Sequence, residues 1–205
     1  MTETTAPRGL IGALEQIADG AGEDGMSLGE FVDALGERAF GIILFAMALP
    51  VSIPFLYGVP QVMALPMMAL SAQMLMGRGE PWLPARFKAS RLEKRGLTRM
   101  ATGGRKWFGW LEALARPRLT ALSGPTAERL VGGVFVIFCT SILIPLPATN
   151  TTPGIALAIA ALGLLTRDGL LVIAGLVLGM VWIALLLVFG HTVIDVIKTY
   201  LQSAF

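Results

Sequence analysis

Apolar residues in this chain are collected in three long runs, and proline-rich breaks divide two of these runs into paired arms. The first run, residues 39–76, has no charged residue and is interrupted by prolines at 50, 54, 60 and 66. Its arms are about 16–17 residues long, at or below the minimum for crossing a hydrocarbon core about 30 Å thick. The pattern predicts a hairpin of two short helices that either spans the membrane or turns back part way as a re-entrant segment.

The second run repeats the first at a distance of 91 residues. Residues 36–55 (GERAFGIILFAMALPVSIPF) correspond to residues 127–146 (AERLVGGVFVIFCTSILIPL). The charged, glycine and proline positions coincide: Glu37-Arg38 with Glu128-Arg129, Gly41 with Gly132, and Ile53-Pro54 with Ile144-Pro145. Duplicated units of this kind are typical of membrane transport folds. The sequence therefore predicts two internal repeats related by approximate two-fold symmetry.

A second apolar arm follows the break in each copy. It ends at Arg78 in the first copy and at Arg167 in the second, where the spacing has fallen to 89 residues. The prolines that break the helices are Pro50 and Pro54 in one copy and Pro145 and Pro147 in the other. If both hairpins cross fully, the even number of crossings makes the repeats parallel.

The third apolar run is the one conventional membrane span. Residues 169–189 are about long enough to cross the hydrocarbon core as one helix. Gly175 and Gly179 lie four residues apart and form a small face for close helix packing, which also allows a homodimer. The tail, residues 191–205, has an amphipathic pattern.

Two short amphipathic helices are predicted before the first apolar run. The second follows a capping box from Ser27 to Glu30 and places Phe31, Val32 and Leu35 on one face. Glycines at 22 and 25 indicate a joint between the two helices.

Charge is distributed unevenly along a chain that is 55% hydrophobic, above the roughly 45–50% of soluble domains. Residues 1–36 contain seven acids and one arginine, whereas residues 78–129 contain twelve Lys or Arg and four acids. Because basic loops stay on the cytoplasmic side of membranes, we expect the basic segment there, close to anionic lipid headgroups. It lacks a recognisable nucleic-acid-binding module, so we expect no nucleic acid partner.

These observations predict an all-α, polytopic helical membrane protein. It has two internal repeats of broken or re-entrant helical hairpins plus one full-length C-terminal span. Its expected segments are an amphipathic N-terminal part (1–36), membrane repeat 1 (37–78), a basic amphipathic connection (79–126), membrane repeat 2 (127–167), a transmembrane helix (168–190) and an amphipathic tail (191–205).

The order and spacing of several motifs resemble the ExoD family of bacterial exopolysaccharide-synthesis membrane proteins, over residues 27–190. The motifs are LGERAFG at 35–41, PVSIPFLYGVP at 50–60, QMLMGRGEPWLP at 73–84, RPRLTALSGPTAERLVG at 116–132 and LGLLTRDGLLVIAGLVLG at 162–179. The resemblance implies a multi-pass protein of the bacterial inner membrane, connected with exopolysaccharide production, symbiotic invasion by rhizobia and tolerance of alkaline conditions. It assigns no catalytic residue.

Enzymatic chemistry has little support in the sequence, and we expect no activity of this kind. One histidine and one cysteine do not provide a metal site, and Thr-Gly-Gly-Arg-Lys at 102–106 lacks the spacing of a phosphate-binding loop. No cofactor or metal is therefore expected. Cys139 lies within an apolar run and is interpreted as a small buried hydrophobic residue.

The residues with most functional interest are the repeated charged pairs. Glu37-Arg38 and Glu128-Arg129 each stand at the entry of a broken apolar segment, where an unpaired charge near lipid is costly. They serve as interfacial anchors, as a pair of pseudo-symmetric gates or as a proton-responsive ion pair.

Other polar residues lie within or beside the apolar runs. Asn150 and Thr149 in one break, together with Gln73 in the other repeat, either line a polar cavity or satisfy backbone groups freed by the prolines. Arg167-Asp168 predicts a turn in which Asp168 caps the next helix. His191 and Asp195 are interpreted as an interfacial pair.

Two functions remain open from the sequence. In the first, the chain is a small transporter or channel-like protein for ions or protons, with a site between its repeats. In the second, it is a non-transporting accessory or scaffold protein of an exopolysaccharide assembly machine. Polar groups facing a cavity favour the first, and a dry, packed repeat interface favours the second.

Overall fold

The computed structural model describes residues 10–56, 58–99, 102, 119, 124–144 and 149–204, without the side chains of residues 10, 11, 13, 14, 37, 125 and 192–204. Helices dominate these residues, and a single two-stranded sheet accompanies them. The predicted amphipathic helix around Trp107 and Trp110 lies outside the described residues, as do Pro145 and Pro147. The all-helical prediction is confirmed.

The N-terminal part forms a small unit at one end of the apolar bundle. It contains α1 (Leu10–Gly20), β1 (Met26–Ser27) and α2 (Leu28–Leu35). The predicted capping box is confirmed, since the Ser27 hydroxyl accepts a hydrogen bond from the Glu30 N–H at 3.1 Å and the Ser27 N–H donates to the Glu30 carboxylate at 2.7 Å. Phe31, Val32 and Leu35 are buried, as the amphipathic pattern predicts.

The basic segment returns to this acidic unit, a contact that the sequence did not reveal. After α5 (Ala85–Lys88), β2 (Arg91–Leu92) pairs antiparallel with β1, and α6 (residues 94–99) follows. The Lys94 ammonium donates to the Ala21 carbonyl at 3.0 Å. Hydrogen bonds from Ser27 lower the pKa of Glu30, and the charge of Arg91 lowers it further. The acidic N-terminal unit and part of the basic segment therefore pack against each other within one chain.

Four helices form the two hairpins. A 3-10 turn (Gly36–Arg38) leads into α3 (Ala39–Val51), followed by α4 (Val59–Leu75), α7 (Pro125–Leu143) and α8 (Thr151–Thr166). The first break comprises residues 52–58, where Phe55 and Gly58 have positive φ angles of 63° and 81°. Pro54 lies in this break, whereas Pro50 lies in the last turn of α3, whose helix continues to Val51. The helix α3 therefore ends one residue after Pro50.

Each hairpin packs more closely with the other hairpin than within itself. The most extensive contacts of these four helices join α4 to α7 and α3 to α8. A methyl group added at Gly132 would lie 2.8 Å from the Ser71 carbonyl oxygen and 2.7 Å from the Leu75 nitrogen. At Gly41 it would lie 3.3 Å from the Ala161 oxygen and 3.5 Å from the Leu165 nitrogen. The backbones at Gly132 meet closely enough to require glycine, whereas a methyl group at Gly41 would make a tight contact.

These two contacts are related by the repeat. Gly41 and Gly132 differ by 91 positions, and their partners Ser71 and Ala161, like Leu75 and Leu165, differ by 90. The predicted two-fold relation between the hairpins would exchange one contact for the other. This geometry supports the predicted duplication and the antiparallel pairing of α3 with α8 and of α4 with α7.

The second arms end in the same hydrogen-bonded turn. The Arg78 N–H donates to the Gln73 carbonyl at 3.1 Å, and the Asp168 N–H donates to the Gly163 carbonyl at 2.8 Å. Gly77 and Arg167, both with positive φ, terminate their helices in this Schellman arrangement. In the structure, Arg167 therefore corresponds to Gly77 and not to Arg78. The two repeats are offset by 90 residues at this point, whereas the sequence comparison indicated 89.

The last helix, α9 (Gly169–Ala204), is one continuous helix of 36 residues that includes the predicted span and the tail. Gly175 lies against the backbone of α8 near Ala156 and Ala160, and Gly179 receives the Phe138 ring of α7. Both glycines therefore serve packing within one chain. A homodimer stays a prediction.

Within the part of the chain that the structure describes, two helices are long and apolar enough to cross a membrane, over Thr126–Leu143 and Gly169–His191. A third candidate is the pair α2 and α3, which is bent by 118° at the 3-10 turn. The helices α4 and α8 are apolar but shorter, with 17 and 16 residues. The structure therefore combines long spans with short hairpin arms.

Adjacent glycines in α7 provide a test of the hairpin contact. We expect Gly132→Ala to lower stability by about 1–3 kcal/mol, because the new methyl group would push α4 away from α7. Gly133→Ala should be neutral or stabilising, since its nearest neighbour is the Leu75 Cδ1 atom at 3.4 Å and alanine favours helices. Thermal unfolding of both variants in detergent measures the difference, and equal melting temperatures would contradict the contact.

Candidate functional site

A small polar cavity lies where the two hairpins meet, at the end of the bundle from which both enter. Its volume is about 20 Å³, which is room for about one water molecule. The charged side chains around it are Arg38, Glu128 and Arg167. The structure thus places residues from both predicted charged pairs beside the same cavity, together with Arg167.

Three different helix ends position these side chains. Arg38 ends the 3-10 turn before α3, Glu128 lies in the first turn of α7, and Arg167 is the left-handed residue that ends α8. Met74 and Leu164, which are equivalent in the two second arms, also line the cavity. Because these two residues correspond in the predicted repeats, the cavity lies near the predicted two-fold axis. Because α3 and α7 both begin at this end of the bundle, the two hairpins run in the same direction.

The side chains around the cavity carry a net positive charge. Two guanidinium groups and one carboxylate surround it. The positive ends of the α3 and α7 dipoles and the negative ends of the α4 and α8 dipoles meet in the same region, so the helix dipoles largely offset each other there. Glu128 is partly buried, and Arg167 is exposed. A proton-responsive role for Arg38 and Glu128 stays a prediction.

The equivalent corner of the other repeat is arranged differently. There the guanidinium of Arg129 packs over Gly77, in space that a side chain at Gly77 would fill. In the second repeat, the position that corresponds to Gly77 is Arg167. Arg38, which corresponds to Arg129, therefore has no glycine to pack over. The Glu37 side chain lies outside the described residues. A single glycine-to-arginine difference therefore makes the two corners unequal.

Asp168 adjoins the cavity residues and has a clear structural role. Its carboxylate is buried and accepts hydrogen bonds from the N–H groups of Leu170 at 3.0 Å and Leu171 at 3.4 Å. The predicted helix cap is confirmed. The turn at Arg167 and Asp168 thereby fixes α8 and α9 as neighbours.

Gln73 has two hydrogen bonds to one backbone. Its side-chain oxygen accepts from the Trp82 N–H at 2.6 Å, and its side-chain nitrogen donates to the Trp82 carbonyl at 3.2 Å. These bonds hold the segment after α4 against the end of that helix. A role for Gln73 in lining a polar cavity stays a prediction.

The polar residues of the second break lie at the opposite end of the bundle. The Thr149 carbonyl accepts a hydrogen bond from the Trp182 indole of α9 at 3.2 Å. Thr149 also borders a mainly apolar groove of about 360 Å³ between α7 and α9. Asn150 begins α8, and its side-chain oxygen is buried without a hydrogen-bond partner among the described residues, as is that of Gln61 in the other repeat. Both amides lie close to the tips of their hairpins.

Between the two ends, the repeat interface is apolar. Leu44 of α3 and Leu157 of α8 are fully buried, as are Phe135 and Phe138 of α7, of which Phe138 packs on Gly179 of α9. Ser71 is also buried, and its hydroxyl donates to the Met67 carbonyl of its own helix at 2.7 Å. Cys139 is fully buried, as predicted. Among the residues that the structure describes, no cluster of three metal-binding side chains occurs.

The fold defines a helical membrane protein with a small charged cavity at one end of a packed bundle. Over residues 10–188 the chain matches the family model "Exopolysaccharide synthesis, ExoD", and it belongs to that family. The resemblance seen in the sequence motifs is thereby confirmed.

Two relatives share much of the chain. "Protein ExoD" of Rhizobium meliloti (strain 1021) is 31% identical over 158 residues, which are 73% of this chain and 64% of the relative. "Uncharacterized protein slr1875" of Synechocystis sp. is 29% identical over 191 residues, covering 88% of this chain and 89% of the relative. No solved structure shows a significant match.

The shared cavity predicts energetic coupling between the repeats. We expect Glu128→Gln and Arg38→Gln to be non-additive in unfolding free energy, by about 0.5–3 kcal/mol, because both side chains border the same cavity. Combining Glu128→Gln with Arg86→Gln, an exposed residue on α5, provides the additive control. Thermal unfolding of the single and double variants gives the interaction energy, and additivity in both cycles would show that Arg38 and Glu128 act independently.

Proposed function

We propose that this protein acts in exopolysaccharide synthesis as a non-transporting accessory or scaffold protein of the bacterial inner membrane. The family description supports the process. The dry packing between the hairpins supports the accessory role. This packing is the observation on which the proposal rests.

A transport path along the two-fold axis would have to pass through the repeat interface. Large side chains of α3, α7 and α8 are fully buried there, and glycines bring the helix backbones into contact. Moving a solute through it would require the hairpins to separate and to break these contacts. The charged cavity and the buried amides of Gln61 and Asn150 lie at opposite ends of this interface.

A small ion or proton transporter is the second candidate, and the charged cavity favours it. Arg38, Glu128 and Arg167 meet beside helix ends from both repeats, where a protonation change at Glu128 would alter the charge balance. In this role the cavity would be a gate at one end of the bundle. The family's link to alkaline tolerance is compatible with proton movement.

Reconstitution into liposomes separates the two candidates. Purified protein with a pH-sensitive dye inside the vesicles is exposed in turn to potassium, sodium and chloride gradients. The accessory role predicts proton flux no greater than that of protein-free vesicles. Flux that Glu128→Gln abolishes and Arg86→Gln retains would contradict the accessory role and support the gate.

Exopolysaccharide production provides the matching measurement in cells. A strain without the protein should regain exopolysaccharide when the wild-type chain is supplied. For an accessory protein, Gly132→Ala should reduce this recovery by weakening the fold, whereas Glu128→Gln should preserve it per folded molecule. Full loss with Glu128→Gln at normal protein amount would contradict this expectation.

A further inference from the structure

An exposed surface of mixed basic and aromatic character lies beside the end of α4. It consists of Arg78, Trp82, Arg86, Phe87 and Lys88, which we term the basic aromatic face. Trp82 and Phe87 are 56% and 59% exposed, and the three cations are exposed as well. Glu80 is the one acid among residues 78–88. Large exposed aromatic rings next to cations are unusual on a surface that faces only water.

The position of this face is set by the helix it follows. The paired hydrogen bonds between the Gln73 side chain and the Trp82 backbone hold the Trp82 backbone beside the last turns of α4. Leu75 and Met76, at the end of the same helix, are 48% and 75% exposed. Along the chain, exposed apolar side chains at the end of α4 are followed by the indole of Trp82 and then by basic residues. Apolar, aromatic and basic residues follow in this order at a membrane surface.

The acidic N-terminal unit occupies the other side of the basic segment. Arg91 acts on Glu30, and Arg95 and Arg99 border a groove that also contains Glu23. The backbone and the first side-chain carbons of Lys88 pack near Gly29 of α2. The cations that act on Glu30 or border the groove with Glu23 thus follow residue 90, whereas the cations of the basic aromatic face precede it.

We propose that the basic aromatic face binds the anionic headgroups of the lipid bilayer, with Trp82 and Phe87 in the interface and Arg86 and Lys88 on lipid phosphates. The occupant follows from continuity with the membrane hairpin and from charge. Cations near an anionic leaflet and aromatic rings at headgroup depth stabilise the same placement. This inference is independent of whether the protein transports a solute.

The test uses the full chain in lipid nanodiscs. Ala85→Cys, at the exposed start of α5, carries an environment-sensitive dye; Cys139 is fully buried and does not compete for the label. The dye emission should shift to shorter wavelength as phosphatidylglycerol replaces phosphatidylcholine. In Arg86→Gln/Lys88→Gln the apparent affinity for phosphatidylglycerol should fall about 30-fold, since each cation near the surface contributes about 1 kcal/mol.

The matched control is Arg95→Gln/Arg99→Gln, which removes the same charge from the part facing Glu23. It should retain the wild-type titration, and salt at 1 M, with a Debye length of about 3 Å, should abolish the response. Trp82→Ala should reduce the shift in neutral and anionic discs alike. Equal titrations for the two double variants, or no dependence on phosphatidylglycerol, would overturn the proposal. A photocrosslinker at position 85 that captures an acidic protein in cells, instead of lipid, would also overturn it.

Discussion

The close approach of backbones at Gly41 and Gly132 is the constraint on which the rest of the structure depends. Lipid does not drive apolar helices together, so helices in a membrane associate through tight packing at small residues. Here the two glycines join the first arm of each hairpin to the second arm of the other. Neither hairpin is a complete unit without its partner, because each buries its apolar surface against the opposite repeat.

This exchange of partners also assembles the charged cavity. Arg38 and Arg167 are far apart in sequence but meet because α3 lies against α8, and Glu128 joins them because α7 begins at the same end. The difference between Gly77 and Arg167 then decides which corner contains the cavity. A nearly symmetric scaffold thus carries an asymmetric site, determined by one position at the end of each second arm.

Local signals in the sequence were sufficient for the local features. The Ser27–Glu30 capping box, the Asp168 cap and the apolar arms depend on neighbours within a few residues, and they could be predicted. The pairing of β1 with β2 involves two residues on each side, too few for an alternating pattern. The pairing of α3 with α8 depends on contacts between residues more than a hundred positions apart in the sequence. The equivalent glycines were the one sequence feature that indicated this pairing. Arg78 was matched to Arg167 because both are arginines, whereas the backbone equates Arg167 with Gly77.

The unequal helix lengths have a consequence for the surrounding bilayer. At 1.5 Å per residue, α3 measures about 20 Å and α8 about 24 Å, whereas the 23-residue span of α9 measures about 35 Å. A hydrocarbon core about 30 Å thick matches α7 and the last helix but exceeds α3 and α8. Lipids beside α3 and α8 must therefore shorten, or water must descend to the ends of these helices. The protein would then impose a gradient of membrane thickness from one flank to the other.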